Sequence, residues 1–199
     1  MRATGIIMAG GKSSRMGKNK ALLMIGGETV IERIVSELKK TVSEIIIVTN
    51  SFEEYRFLGL PMVSDQWQDM GPVAGIHAGL NASNTEKNLV VACDMPFISS
   101  QLGEILLNLL DENQAAVPII SGQLHPLFAA YRKDALDEVT QSIQKQELRI
   151  RQFLKNIKTK LVTEADLQNS TYICEEKHFF NMNHPEDFEK ALKMGSLKE

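Results

Sequence analysis

The sequence lacks an excess of basic residues and has no long apolar run. Its 22 lysines and arginines are outnumbered by 25 aspartates and glutamates, and its pI is near 5.9. This balance argues against a general polyanion binder, because nucleic-acid proteins have clearly basic surfaces. No apolar run approaches the ~18 residues that a membrane-spanning helix needs. We therefore expect neither nucleic acid nor a membrane as a partner, and any phosphate binding must be local.

Cysteine is also scarce. Only Cys93 and Cys174 occur, and they form no Cys-x-x-Cys pair, which argues against a zinc site. The two thiols could form a disulfide. The first residues, however, have the pattern of a strand and not of a signal peptide, which favours reduced thiols and a cytoplasmic location.

What is present is the pattern of an α/β protein. The 199 residues are 43% apolar and 24% charged, as expected for one globular domain spanning residues 1–199. Continuous apolar runs predict strands within 4–9, 44–49, 61–64, 89–92, 115–120, 127–131 and 179–182. The fifth and sixth of these should form a hairpin around Ser121-Gly122.

Segments with helical spacing separate these strands. Thr29 and Glu32 form a capping box before a helix through Leu38. Further helices are predicted at 71–80, 99–110, 134–142, 149–156 and from Pro185 to a stop at Gly195. The alternation predicts a three-layer α/β fold, in which a mostly parallel twisted sheet carries helices on both faces.

Polar residues follow the predicted strands at five places. In a sheet of this kind, ligands bind beyond the carboxyl ends of the strands. We therefore expect these residues to meet in one site, although they are distant in sequence. They are Gly10 to Lys12, Thr49-Asn50, Ser64-Asp65, Cys93-Asp94, and Asn181 with Asn183.

The first of these places opens a glycine-rich cationic loop, which runs from Met8 to Lys20. It holds four cations and no acid: Lys12, Arg15, Lys18 and Lys20. Glycine lets the backbone approach a phosphate closely, and arginine and lysine supply positive charge. The loop matches neither the Walker pattern nor Gly-x-Gly-x-x-Gly. A solvated basic loop is the alternative interpretation.

The whole stretch resembles the LxGGxSxRMGxxK signature of the MobA-like nucleotidyltransferases, in particular the molybdenum cofactor guanylyltransferases. Four further motifs follow in the family's order and extend the resemblance over essentially the whole chain. Met8 and Asn19 depart from the pattern, where Leu and Asp are commoner. The further motifs are Gly71-Pro72-Val-Ala-Gly75, Cys93-Asp94-Met95-Pro96-Phe97, His125-Pro126-Leu127 and Asn181-Met-Asn183-His-Pro185.

The resemblance implies a Rossmann-like nucleotidyltransferase fold and a defined reaction. GMP passes from GTP to the phosphate of Mo-molybdopterin, with release of pyrophosphate. The resemblance also implies that residues 1–100 mainly bind the nucleotide and residues 101–199 mainly bind the acceptor. Partners would be GTP, Mo-molybdopterin, other proteins of cofactor biosynthesis, and the apo-molybdoenzymes that receive the product.

For the triphosphate, the resemblance points to Lys20 and Arg15 as catalytic cations, with Lys12 a weaker candidate. The backbone of Met8, Ala9 and Gly10 would line the nucleotide. Asp94 is the candidate ligand of a Mg²⁺ cofactor, since magnesium takes one or two carboxylates together with substrate phosphates. The alternative for Asp94 is a cap on the following helix.

For the guanine base, the resemblance points to Asp65, whose carboxylate could accept from N1–H and N2–H, and to Asn50 beside the base or ribose. Turn roles are their alternatives. His125, Asn181 and Asn183 are candidates for the second substrate. A helix cap for Asn183 and a turn role for His125 remain open.

Three rival functions remain at this stage. A close relative could use CTP in place of GTP, because motif spacing does not identify the base. A sugar-phosphate nucleotidyltransferase is more distant, since those enzymes usually carry a proline within the phosphate signature. A non-catalytic nucleotide-binding protein could instead deliver the cofactor to its enzymes.

Overall fold

The computed structural model describes residues 2–10, 19–67, 70–168 and 172–196. Its strands are β1 (Ala3–Met8), β2 (Met24–Ile25), β3 (Glu28–Thr29), β4 (Glu44–Val48), β5 (Met62–Val63), β6 (Lys87–Ala92), β7 (Ala115–Ile120), β8 (Gln123–Leu124), β9 (Phe128–Arg132) and β10 (Thr159–Val162). Its α-helices are α1 (Val30–Leu38), α2 (Phe52–Tyr55), α3 (Gly71–Ala82), α4 (Ser100–Asn108), α5 (Leu136–Gln144), α6 (Ile150–Asn156), α7 (Glu164–Gln168) and α8 (Pro185–Ser196).

The central sheet has the strand order β10-β7-β9-β6-β1-β4-β5, and β8 pairs with β7 at one end. Neighbours in this order are parallel except around β9, which is antiparallel to both β6 and β7, and β8 is also antiparallel to β7. Because β7 and β6 flank the same antiparallel strand, they run in the same direction. The predicted mostly parallel sheet is therefore confirmed.

Two apolar layers cover the sheet, one on each face. Successive residues of a strand point to opposite faces, and Ile6 and Ile7 of β1 accordingly lie in different buried clusters. The Ile7 cluster contains the apolar faces of α1 and α4, whereas the Ile6 cluster contains those of α3 and α5. The predicted placement of helices on both faces is confirmed.

Two glycines let α3 lie close against β1. A Cβ atom at Gly79 would come within 2.4 Å of the Ile6 Cγ2, and one at Gly75 within 2.2 Å of the Met8 methyl group. Both distances are far below van der Waals contact, so no larger residue fits without displacing the strand side chains. This close packing fixes the carboxyl end of β1, from which the cationic loop departs.

The predicted strand at 179–182 is wrong. Residues Glu176–Phe179 form a 3-10 helix, and the chain then continues without sheet pairing. Met182 is fully buried, and its backbone N–H donates to the carbonyl of Asp94 at 3.0 Å. The apolar run therefore reflects burial against the end of β6 and not a strand.

The predicted helix stop at Gly195 is also wrong, because α8 continues to Ser196. A Cβ atom at Gly195 would lie 2.4 Å from the Ile25 Cγ2. The glycine therefore serves close packing between α8 and β2, and not a left-handed cap.

The predicted hairpin is only partly correct. Ser121 and Gly122 have φ values of 49° and 75°, which suit a tight hairpin turn. This turn leads from β7 into the two-residue strand β8, which pairs with the end of β7. β9 instead pairs with the first two residues of β7, Ala115 and Ala116, and its other side pairs with β6. The fifth and sixth predicted strands are thus neighbours, but β8 intervenes along the chain.

No helix in the described part of the chain combines the length and the apolar character needed to cross a membrane. Both cysteines are free thiols, so the disulfide alternative is not realised.

Asp187 caps the start of α8. Its Oδ2 accepts from the backbone N–H groups of His184 at 2.9 Å and Asn183 at 3.0 Å. These bonds, that to His184 first, lower the pKa of the carboxyl. A carboxyl whose pKa is lowered by folding stabilises the protein above its unfolded pKa of ~3.9, and the stabilisation is lost as the pH falls through the folded value.

We expect Asp187→Ala to lower the free energy of unfolding by roughly 0.5–1 kcal/mol at pH 7, as for other lost caps in a partly solvated setting. The difference from the parent protein should shrink as the pH falls below 4. Urea unfolding at a series of pH values measures both. A constant difference at all pH values would show that the carboxylate is not responsible.

Candidate active site

The polar residues predicted from the strand ends do lie along one edge of the sheet. β6, β1, β4 and β5 are parallel, so their carboxyl ends share that edge. The start of the antiparallel β9 lies there too, because Ala92 N–H donates to the Leu127 carbonyl at 2.8 Å. The bond from Met182 to Asp94 adds the 181–183 segment. The described members of the predicted set thus lie along one edge, whereas Gly11 and Lys12 lie outside the described residues.

At the centre of this edge, Lys20 lies between Asp94 and Asn183. The Lys20 Nζ is 3.7 Å from the Asp94 Oδ2 and donates to the Asn183 Oδ1 at 3.2 Å. The Lys20 and Asp94 side chains are only 16% and 23% exposed. Three residues that are far apart in sequence therefore form one partly enclosed polar cluster.

Burial dominates the electrostatics of this cluster. It raises the pKa of Asp94, and the nearby Lys20 ammonium acts in the opposite direction. Burial, together with the Asp94 charge, also raises the pKa of the Cys93 thiol to about 12. Cys93 thus remains a protonated thiol at neutral pH, which excludes it as a thiolate nucleophile.

Asp94 does not cap the following helix. The N-cap of α4 is Ser99, whose hydroxyl accepts from the Leu102 N–H at 3.3 Å. The 3.7 Å between Lys20 and Asp94 is longer than a direct hydrogen bond. Within the described residues, Lys20 therefore faces the Asp94 carboxylate as a charge partner at 3.7 Å.

The chemistry of the site fits Mg²⁺ better than a metal held by protein alone. Within the described residues, no group of three His, Cys, Asp or Glu side chains lies together. A site with one carboxylate, Asp94, suits magnesium, which is usually held by one or two carboxylates and by substrate phosphates. Zinc sites need three or four protein ligands.

A second polar cluster lies at the ends of β4 and β5. The Asn50 Oδ1 accepts from the Asp65 N–H at 3.1 Å, and the Asp65 Oδ1 accepts from the Trp67 N–H at 2.9 Å. Asp65 thus has the turn role that was its alternative interpretation. Within the described residues, no hydrogen bond reaches its Oδ2.

His77 of α3 faces this second cluster. Burial raises the pKa of Asp65, while its bond to Trp67 and the nearby His77 lower it. Burial in turn lowers the pKa of His77, and Asp65 raises it. The two groups therefore influence each other's charge at the edge of the second cluster.

Between the two clusters lies the end of β1. The Met8 carbonyl accepts from the Cys93 N–H at 3.1 Å, and the Ala9 N–H donates to the Val48 carbonyl at 2.9 Å. These sheet bonds use the Met8 carbonyl and the Ala9 amide. Gly10, the first exposed residue after the strand, begins the surface on which a ligand could approach the backbone.

His125 and Asn181 form a third group around Phe179. The rings of His125 and Phe179 have centroids 4.4 Å apart, and the Asn181 Nδ2 donates to the Phe179 carbonyl at 3.1 Å. Burial lowers the pKa of His125. The His125 backbone also stabilises the turn before β9 through bonds to Pro118 and Phe128, so its predicted turn role is realised beside its place at the site edge.

Asn183 does not cap α8. The cap is Asp187, and the Asn183 amide oxygen instead accepts from Lys20. The candidate helix cap is therefore replaced by a direct contact with the cationic loop.

Comparison with known proteins places the chain in a family. Residues 5–162 match the MobA-like NTP transferase domain. The chain belongs to this family. It is 36% identical over 196 residues to a probable molybdenum cofactor guanylyltransferase of Carboxydothermus hydrogenoformans, covering 98% of each chain. A protein of the same name from Pelotomaculum thermopropionicum is 39% identical over 194 residues, covering 98% of this chain and 94% of its own.

A solved structure shares the fold of this MobA-like NTP transferase. Molybdopterin-guanine dinucleotide biosynthesis protein A from Archaeoglobus fulgidus superimposes with a TM-score of 0.82. The match covers 98% of this chain and 100% of the other, at 24% sequence identity. At this identity the likeness establishes the fold alone.

Part of the predicted site of this MobA-like NTP transferase cannot be placed. Arg15, together with Lys12 and Lys18, lies outside the described residues. Of the loop's four cations, only Lys20 is therefore assigned a position.

The structure adds residues that sequence reasoning did not connect to the site. Asn19 contacts Tyr55 and Glu54 of α2, His77 faces Asp65, and Asp187 holds the segment of Asn183. Only Asn19 had a signal, as a departure within the loop motif. His77 and Asp187 lie in helices, and the sequence pattern of a helix does not indicate which strand end its side chains will contact.

Proposed function

We propose that this MobA-like NTP transferase transfers GMP from GTP to the phosphate of Mo-molybdopterin, forming the guanine dinucleotide cofactor and releasing pyrophosphate. The likeness over nearly the whole chain to proteins named molybdenum cofactor guanylyltransferase supports this reaction. The observation that carries it is the Lys20 ammonium 3.7 Å from Asp94, at the edge where parallel strands end.

The reaction is a displacement at the α-phosphorus of GTP. An oxygen of the acceptor phosphate forms the new bond to this phosphorus, the bond to the β-phosphate oxygen breaks, and its electron pair leaves with pyrophosphate. Such a transfer depends on positioning and on charge neutralisation, and it needs no covalent nucleophile on the protein. Lys20, with Arg15, neutralises the negative charge that develops on the leaving pyrophosphate.

Asp94 is proposed to hold Mg²⁺ together with the triphosphate. When bound there, the ion would neutralise phosphate charge and orient the triphosphate. Asn183, which contacts Lys20 from the other side, keeps the ammonium next to this carboxylate.

The remaining candidate residues are assigned by their places along the edge. Asp65 and Asn50 read the base or ribose, and the backbone of Met8, Ala9 and Gly10 lines the nucleotide. His125, Asn181 and Asn183 bind the acceptor, which places the nucleotide mainly in residues 1–100 and the acceptor mainly in residues 101–199. We further propose a cytoplasmic enzyme that works with proteins of cofactor biosynthesis and passes its product to apo-molybdoenzymes.

The direct test supplies the purified protein with Mo-molybdopterin, Mg²⁺ and either GTP or CTP. Pyrophosphate release and the dinucleotide product are measured. Release with GTP and not with CTP is expected. Faster turnover with CTP would establish the cytidylyl alternative, and tight GTP binding without pyrophosphate release would favour the delivery protein.

Asp65 is expected to set the base preference. In Asp65→Asn, the Oδ1 that supports Trp67 is kept, but the amide presents a donor where guanine also donates. A lost hydrogen bond to a charged group is worth about 1.5–3 kcal/mol, so GTP affinity should fall by about 10–100-fold. CTP affinity should change little. Calorimetric titration with both nucleotides measures this.

The matched control is Asp137→Asn, an exposed position in the first turn of α5. It should bind both nucleotides as the parent protein does. Unchanged GTP affinity and base preference in Asp65→Asn would remove Asp65 from base recognition and leave it only the turn role.

A further inference from the structure

We propose that Asn19 is a positioning residue that holds Lys20 against Asp94 by fastening the end of the cationic loop to α2. This inference rests on the proposed function of Lys20. Asn19 precedes Lys20 directly. Its side-chain amide makes three hydrogen bonds within the protein, one through the oxygen and two through the nitrogen.

The first contact organises the chain around Lys20 itself. The Asn19 Oδ1 accepts from the Ala21 N–H at 3.0 Å, which makes Asn19 the N-cap of the 3-10 helix Lys20–Leu22. The Asn19 carbonyl also accepts from the Leu22 N–H at 3.1 Å. The backbone on both sides of Lys20 is thereby fixed.

The second pair of contacts ties this turn to α2. The Asn19 Nδ2 donates to the Tyr55 hydroxyl at 2.8 Å and to the Glu54 carboxylate. Because the Ala21 N–H requires the amide oxygen, the nitrogen must point toward α2. An alanine at position 19 would lose all three bonds, whereas an aspartate would lose both donors.

Tyr55 provides a rigid anchor. It is only 2% exposed and belongs to the buried layer below the site. Burial raises the pKa of its hydroxyl above its usual range, with a smaller contribution from Cys93. Cys93, the residue that precedes Asp94, packs against the same buried layer. Asn19 therefore links the Lys20 turn to the same packed region that carries Asp94.

The contacts of the Lys20 side chain do not by themselves fix its backbone. Its ammonium contacts Asn183 and Asp94 at the far end of a long flexible side chain. An ammonium of this kind neutralises a transition state only when its backbone is held, since displacement by about 1 Å can cost up to 10²-fold in rate. The hydrogen bonds of Asn19 with Ala21 and Leu22 hold the backbone on both sides of Lys20.

The first experiment is a double-mutant cycle on pyrophosphate release with Asn19→Ala, Lys20→Ala and the double variant. We expect Asn19→Ala to lower kcat by about tenfold, with KM for GTP changed less than about threefold. In the Lys20→Ala background the same change should lower kcat by less than about twofold, because the group being positioned is gone. Independent, multiplying losses would overturn the proposal.

Asn108→Ala is the matched control. Asn108 is an exposed asparagine at the end of α4, and Lys87, at the start of β6, donates to the neighbouring Leu107 carbonyl. This places Asn108 at the opposite edge of the sheet. Its kinetic constants should equal those of the parent protein.

A reciprocal exchange tests the contact with Glu54. Asn19→Asp puts two carboxylates together and should lower kcat by about fivefold at pH 8. Adding Glu54→Gln restores a donor opposite the new carboxylate, so the double variant should regain activity to within about twofold of the parent. An unchanged kcat in Asn19→Asp, or a loss of kcat that Glu54→Gln does not restore, would contradict the proposed contact between Asn19 and Glu54.

Hydrogen exchange on the ligand-free protein separates this proposal from the proposed function. Asn19→Ala should speed amide exchange at Ala21 to Leu23 by about tenfold or more, while exchange in β1 and β6 is unchanged. If the parent protein releases no pyrophosphate, the proposed function fails but this exchange result still decides whether Asn19 fixes the turn. Unchanged exchange at Ala21 overturns the proposal whatever the enzyme does.

Discussion

Lys20→Ala is expected to lower the rate of pyrophosphate release from GTP by about 10²–10³-fold, the usual cost of removing one preorganised charge-stabilising donor. The reason is geometric. The Lys20 side chain is 16% exposed and contacts Asn183 while lying beside Asp94, so water cannot fully replace its charge. Rapid-quench measurement of pyrophosphate at saturating GTP and acceptor tests the chemical step.

Lys20→Arg distinguishes the charge from its placement. The guanidinium keeps the positive charge but is planar and longer, so it should restore only part of the rate. Lys39→Ala, an exposed lysine at the end of α1, is the control and should be fully active. A Lys20→Ala enzyme within about threefold of the parent would remove Lys20 from catalysis and transfer its role to the cations of the 11–18 segment.

The sequence carried enough information to place the ends of the parallel strands. β1, β4 and β6 are buried on both faces, so their residues form continuous apolar runs that end where polar residues begin. Because such ends share an edge, topology predicted that the loop after β1 and Asp94 would lie close together, whereas the choice of Lys20 within that loop came from the family resemblance. The capping box of Thr29 and Glu32 was equally readable, since both of its bonds are local.

What the sequence could not predict depends on contacts between distant segments. The run Phe179 to Met182 has the composition of a strand, but its side chains fill space against the end of β6, and Met182 bonds to Asp94 there. β10 was missed because Thr159 and Lys160 are only partly buried at the sheet edge and Leu161 is exposed. Edge strands lack the continuous apolar pattern by which central strands are recognised.

In the site, too, the residues that local sequence patterns could predict differ from those that depend on contacts between distant segments. Residues at strand ends were predicted, whereas Tyr55, His77 and Asp187 were not, because helices deliver them. A helix carries side chains to a strand edge according to its packing angle, which no local spacing encodes. Asn183 was predicted as a substrate ligand or a cap, and its bond to Lys20 is a third role that only the tertiary fold reveals.

The antiparallel strand β9 brings the second half of the chain to the edge where β6 ends. It enters the sheet between β6 and β7 and begins at the edge where β6 ends. His125 therefore arrives beside the end of the strand that supplies Asp94. Met182 bonds to the Asp94 backbone carbonyl and Asn183 accepts from Lys20, so the second half of the chain adjoins the Lys20–Asp94 pair, as the proposed transfer between two bound substrates requires.

Asp94→Asn is expected to lower pyrophosphate release by about 10³-fold or more, since charge-bearing groups that position a reacting phosphate contribute about 10²–10³ each and this change removes the proposed Mg²⁺ ligand as well. The amide has the same size, so the packing around position 94 should be kept. Calorimetry with Mg²⁺ and a non-hydrolysable GTP analogue should show weaker metal binding, and chelation of Mg²⁺ should abolish turnover by the parent enzyme.

The control for this change is Asp137→Asn, which removes a carboxylate from the exposed start of α5. It should keep both turnover and metal affinity. Because Asp94 neighbours Lys20, a second measurement separates loss of the metal from loss of the lysine's position. If hydrogen exchange around Ala21 is unchanged in Asp94→Asn while metal affinity falls, the carboxylate acts through the ion. If metal affinity is unchanged while turnover falls, Asp94 acts by orienting Lys20, and the magnesium assignment must move elsewhere along the edge.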